Sequence, residues 1–187
     1  MKSKKLRMLC LAAVMAAVYV GLDFLSESAS AVFGGWMKIS LSGLPVVIVA
    51  IVAGPLWGGV TGFIGEFVIQ LWLYGLDPTT LIWALAAASR GLVMGWMFRL
   101  FKKSTHPLML GISTIVSSVV TTLLNTGGIL IHQTIYGYSS YIATLVHVPV
   151  RVLSGALTAV IFALILPIVL RPLKRYIKQE KPLNPNG

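Results

Sequence analysis

Cysteine is almost absent. Cys10 is the only one in 187 residues, so the chain has no material for a disulfide framework or a cysteine-based metal centre. Charge is scarce too: 11% of residues are charged and 57% are hydrophobic, too little polarity to cover a soluble domain of this size. Enzyme signatures are missing. There is no GxSxG elbow, no HExxH helix and no GxxxxGK phosphate loop ending in Ser or Thr. Ser89 stands beside Arg90 without a base to activate it. His132 and His147 are separated by a loop and have no carboxylate at metal-ligand spacing, so neither a metal nor another cofactor is expected. No internal repeat of the kind found in conventional secondary transporters is visible.

What the chain does have is positive charge, 15 Lys and Arg against 5 Asp and Glu, placed in clusters. Lys2, Lys4, Lys5 and Arg7 precede the first apolar run. Arg99, Lys102 and Lys103 share one polar break, and Arg171, Lys174, Arg175, Lys178 and Lys181 follow the last run. Basic residues in short loops stay on the cytoplasmic side. The pattern therefore predicts an all-α membrane protein of six transmembrane helices with both termini inside. Only Lys38 falls on the opposite side. A net charge of +10 would suggest nucleic acid if it formed a stripe among aromatic residues, but confined to three clusters it predicts none.

The expected spans are 8–24, 44–54, 58–74, 79–101, 108–133 and 143–170. They form one domain over 1–178, followed by a flexible tail, 179–187. The first, LCLAAVMAAVYVGLDFL, lacks a clear cleavage site and reads as a retained helix. The second is short against the roughly 20 residues a crossing needs, so it begins near Lys38 or crosses incompletely. Residues 25–43 read as a long outer loop and GPLWGG as a tight inner turn. In YGLDPTT, Asp77 or Thr79 is placed to cap the fourth helix.

An ionisable group within a span costs about 2.5–3.5 kcal/mol on insertion scales and faces a cavity or a partner. Glu66 and Gln70 share a face of the third span, and Trp83 and Arg90 share one on the fourth. Thr121, Asn125 and His132 form a stripe on the fifth, and His147, Arg151, Ser154 and Thr158 a row on the sixth. Each has a structural alternative. Glu66 can pair with Arg90 or Arg151, Asn125 and the hydroxyls can join helices, the histidines can be interfacial, and Arg151 can snorkel. Arg90 is deepest and hardest to explain in this way. Two arginines against one glutamate leave a cation for an anionic ligand, because guanidinium suits carboxylate or phosphate. Ala12 with Ala16, and Ala13 with Ala17, are small-xxx-small pairs suited to close helix approach, within the bundle or against another subunit.

The stretch KISLSGLPVVIVAIVAGPLWGGVTGFIGEFVIQLWLYGLDPTTLIWALAAASRGLVMG, together with the alanine spacing of the first span, resembles the substrate-binding S components of energy-coupling factor (ECF) vitamin transporters. The resemblance covers residues 8–170. It implies high-affinity vitamin binding near the outer side and a location in the bacterial plasma membrane. It also implies association with a transmembrane scaffold subunit and two cytoplasmic ATPase subunits, with Ala12, Ala13, Ala16 and Ala17 meeting the scaffold. The chain itself would not be an enzyme. The stretch YGLDPTTLIWALAAASRGLVMG, with LLNT at 123–126, looks most like pantothenate-type members, and DPTT stands where folate-type members have a PGFT-like entry to the fourth helix. On that reading Arg90 meets the carboxylate, Asn125, Gln70 and Glu66 meet hydroxyl or amide groups, and Trp72 and Trp83 pack on the gem-dimethyl carbon. Folate, which could engage Arg90 and Arg151 together, is the alternative, followed by a thiamine precursor or pyridoxine; His132 is a further candidate contact. From other classes, an intramembrane lipid-modifying enzyme and a ligand-free assembly subunit remain as rivals.

Overall fold

The computed structural model describes residues 2–32, 40–137 and 141–178, and the side chains of 5–28, 40–137, 148–150 and 152–172. The predicted tail, 179–187, and Lys38 lie outside the described residues. Among the described residues six helices follow one another: α1 (Lys2–Val32), α2 (Gly43–Val52), α3 (Pro55–Tyr74), α4 (Thr80–Leu100), α5 (Pro107–Tyr136) and α6 (Tyr141–Lys178). No strand occurs among the described residues.

Five of these helices contain segments long and apolar enough to cross a membrane: Lys5–Ser28, Pro55–Tyr74, Thr80–Leu100, Pro107–Tyr136 and Val148–Pro172. The sixth, α2, does not. Its 10 residues rise about 15 Å, half of a hydrocarbon core of about 30 Å. Ser40 and Leu41 are not helical, so the second span begins at Gly43 and not near Lys38. The first span also differs from expectation. α1 continues past Phe24 to Val32, so part of the expected 25–43 loop is helix.

Glycine and proline set the breaks. Gly54 precedes α3 with φ 104°, a conformation that residues with a Cβ rarely adopt, and Pro55 opens the helix where its missing N–H costs nothing. Gly137 closes α5 in the left-handed conformation, φ 66°, and its N–H returns to the Gln133 carbonyl.

Inside lipid, apolar surface gives helices no net drive to associate, so close packing must supply it. The α3–α4 seam shows how. A Cβ added to Gly91 would fall 2.2 Å from the Gly58 carbonyl carbon, and one on Gly62 would fall 2.6 Å from the Ala87 carbonyl oxygen. Gly95 lies equally close to Pro55, so the two helices run antiparallel with their backbones in contact. A second layer packs around α2, where Val47, Ile48, Ala50 and Ile51 meet Met94 and Phe98 of α4, Leu110 of α5, and Phe162, Leu166 and Leu170 of α6. α2 is thus held on several sides, and its N-terminal end stops partway through the bundle, where the polar groups collect.

Candidate functional site

Three elements bring polar side chains together at the start of α2. On α1 the buried residues Ala12, Ala16, Tyr19, Asp23 and Ser26 recur at three- and four-residue spacing, one face of a helix turned inward. Tyr19 Oη donates to Glu66 Oε2 at 2.5 Å, and Gln70 Nε2 donates to Glu66 Oε1 at 2.8 Å. Gly65, adjacent to Glu66, has no Cβ, and one added there would fall 2.6 Å from the Tyr19 ring. Asp23 Oδ1 accepts from Ser42 Oγ at 2.9 Å and from Ser40 Oγ at 3.5 Å, tying α1 to the approach to α2.

Arg90 enters this cluster from α4. Its guanidinium lies against the first turn of α2, so close that a Cβ on Gly43 would fall 1.9 Å from Nη1. The residue is half-buried, yet its Nε is enclosed and has no hydrogen-bond partner among the described residues. Tyr19, Glu66 and Asp23 are all within electrostatic reach of it. A helix N-terminus carries partial positive charge, so the guanidinium adds to that charge and the two carboxylates offset it. A buried donor left unmade costs about 1–3 kcal/mol, and an acceptor from a ligand would recover that cost.

A second cluster closes the α3–α4 connection. Asp77 Oδ1 accepts from the Thr79 N–H at 2.6 Å and from the Thr79 hydroxyl. Asp77 Oδ2 accepts from Tyr136 Oη at 2.6 Å. These bonds, the Thr79 hydroxyl first, hold the Asp77 carboxyl below its ordinary pKa. Asp77 therefore shapes the turn and ties it to α5, whereas Thr79 occupies the N-cap of α4 without a side-chain cap bond. The His132 ring lies 4.8 Å from that of Tyr136, tilted by 40°. Trp83 Nε1 donates to Thr79 Oγ1 at 3.3 Å, and its ring approaches α5 where Gly128 lacks a side chain.

A family model matches residues 3–172, most of the chain, and its description is "ECF-type riboflavin transporter, S component". The chain belongs to this family. Membership makes it a multi-pass transport subunit of the ECF S-component class, a class that is generally not enzymatic and that works with a scaffold and ATPases on a vitamin. No curated protein and no solved structure shows a significant match.

For this S-component chain, the residues singled out from sequence separate into distinct places. Arg90 lies at the start of α2, and Glu66, bonded to Gln70, is within electrostatic reach of it. Asn125 is half-buried on α5, one turn before Gly128. Trp83 and His132 belong to the Asp77 cluster. Trp72 is 79% exposed and stands outside both clusters. Arg151 lies on α6, but its side chain is outside the described set. Thr121 and Thr158 bond their own helices, at the Ser117 and Ser154 carbonyls, instead of joining helices. Ala12 and Ala16 are buried in the bundle, while Ala13 and Ala17 are exposed. Tyr19, Asp23 and Ser42 were missed. Their signal was the inward stripe of α1, in which a tyrosine and an aspartate continue the alanine spacing.

Proposed function

We propose that the chain captures a vitamin in the outer half of the bundle and passes it inward as the substrate-specific subunit of an ECF transporter. The basic clusters support a topology with both termini and the α4–α5 loop in the cytoplasm, and the length of α2, half of a hydrocarbon core, supports an incomplete crossing there. The observation that carries the reading is the enclosed Arg90 Nε beside the start of α2, without a hydrogen-bond partner among the described residues and flanked by the Glu66 and Asp23 networks. Such an arrangement suits a ligand acceptor oxygen at that point and hydroxyl or amide groups around it.

The family description favours riboflavin as that vitamin. Riboflavin has no carboxylate. Its ring carbonyls would accept from Arg90, and its polyhydroxyl chain would meet groups such as Asn125 and Gln70. Pantothenate, the expectation from the YGLDPTTLIWALAAASRGLVMG stretch and LLNT, requires instead that Arg90 pair with a carboxylate. Calorimetry on purified protein with both vitamins separates the two readings. Riboflavin should bind, and Arg90→Gln should weaken it about tenfold or more, equivalent to about 1.4 kcal/mol. Pantothenate binding that depends on Arg90, without riboflavin binding, would move the assignment to pantothenate. If neither vitamin binds, the capture role at this site is rejected.

A further inference from the structure

An apolar groove of about 430 Å³ opens on the outside of the bundle between α3 and α4. Its floor is Gly59 and Ala88, and its sides include Leu56, Phe63, Ile64 and Leu92. It follows from the sequence: the small residues that let the two helices touch leave a trough beside the seam. Leu56 is the second residue of α3, and Ile64 lies eight residues further along, about 12 Å at 1.5 Å per residue. That length is close to the thickness of one leaflet, half of about 30 Å. With the α4–α5 loop in the cytoplasm, the groove runs from the inner interface toward the bilayer midplane.

Its mouth is basic. Along α4, Ala88, Leu92 and Trp96 advance by four residues and Arg99 by three, which returns Arg99 to within about 20° of Leu92 on the helix. Trp96 is 62% exposed, and an indole at that level suits the headgroup region. Arg99 is exposed, with its guanidinium close to Gly54 at the foot of α3. Lys102, also exposed, follows with φ 52°, and Lys103 with φ 57°. The Lys102 N–H returns to the Arg99 carbonyl and the Lys103 N–H to that of Phe98, the closure that helix ends normally build with glycine. Lysine is thus held at a position where glycine would fit with less strain.

We infer that this groove holds an acyl chain of an anionic phospholipid from the inner leaflet, with the headgroup at Arg99 and Lys102. The charge at the mouth selects the headgroup, and the trough without polar side chains takes the chain. The inference rests on the cytoplasmic placement of the basic loop but is independent of which vitamin binds.

Native mass spectrometry of the purified full chain tests it, using dioleoyl phosphatidylglycerol and dioleoyl phosphatidylcholine at matched concentrations. Phosphatidylglycerol should be retained about fivefold more per basic contact. Arg99→Gln with Lys102→Gln should abolish that preference, and Ile64→Trp, which crowds the groove from its exposed rim, should lower retention of both lipids. Vitamin binding, measured in parallel, should be unchanged in these variants. Equal retention of the two lipids by the wild type overturns the proposal. So does unaltered retention in Ile64→Trp, since the chain would then lie elsewhere, or the appearance of a dimer of this chain in place of a lipid-bound monomer.

Discussion

Arg90 and Gly43 form a pair in which the smaller residue decides where the larger one points. Only a hydrogen separates the α2 backbone from the guanidinium, and a Cβ at Gly43 would fall 1.9 Å from Nη1. The atom it would strike is the far end of a flexible side chain, so Gly43→Ala should shift Arg90 without unfolding the bundle. Vitamin affinity should fall about tenfold, or about 1.4 kcal/mol, with little change in melting temperature; calorimetry and a thermal melt on the same sample check both. Unchanged affinity would remove Arg90 from the site. Asp77 carries a different kind of prediction. Its hydrogen bonds with Thr79 and Tyr136 depress its pKa in the folded state. A depressed carboxyl stabilises fully above its unfolded value, near 3.9, and that contribution is lost as pH falls through the lower folded value. Melting temperature should therefore drop below about pH 4 more steeply in the wild type than in Asp77→Asn, as a pH series of melts would show.

Among the helices, the α3–α4 seam separates glycines that are required from glycines that are not. Gly91 faces the Gly58 backbone, which cannot yield as a side-chain tip can. Gly91→Ala should push the helices apart and destabilise by about 1–3 kcal/mol. Gly127 on α5 has nothing within 4 Å, and Gly127→Ala should stabilise by about 0.5–1 kcal/mol through helix propensity. Thermal melts of the two variants in one detergent should move in opposite directions, and a neutral Gly91→Ala would refute backbone contact along the seam. Helix existence was legible in the sequence because apolar runs bounded by Gly54–Pro55 and Asp77–Pro78 leave few alternatives. The length of α1 was not: Ser26 and Ser28 looked like loop residues, yet each hydroxyl donates back to its own helix, at Leu22 and Phe24, so the polar side chains do not break it. Glu66 with Gln70 was legible because four-residue spacing fixes a shared face. The part of the site supplied by Tyr19, Asp23 and Ser42 depends on how α1 packs against α2 and α3, which no local spacing states.

At the scale of the whole molecule, the outside of α1 is the question that helix packing leaves open. The two alanine pairs look equivalent in sequence, and only the bundle separates them: Ala12 and Ala16 are 3% and 4% exposed, whereas Ala13 and Ala17 face outward. Cys10 and Gly21, at the same three- and four-residue spacing, are exposed as well, and a Cβ at Gly21 would meet nothing within 4 Å. A smooth outward row of small residues lets another transmembrane helix approach closely, and we propose Ala13 and Ala17 as the place where the scaffold subunit docks. Ala13→Trp and Ala17→Trp should then leave vitamin binding to the isolated subunit intact. Uptake by the complete complex in vesicles should fall about tenfold or more, the effect of losing about 1.4 kcal/mol of association. Ala16→Trp is the internal contrast: its side chain points into the bundle, so stability and vitamin binding should fall along with uptake. If both outward tryptophans support wild-type uptake, the scaffold approaches from another face, and the outward row of α1 contacts lipid alone.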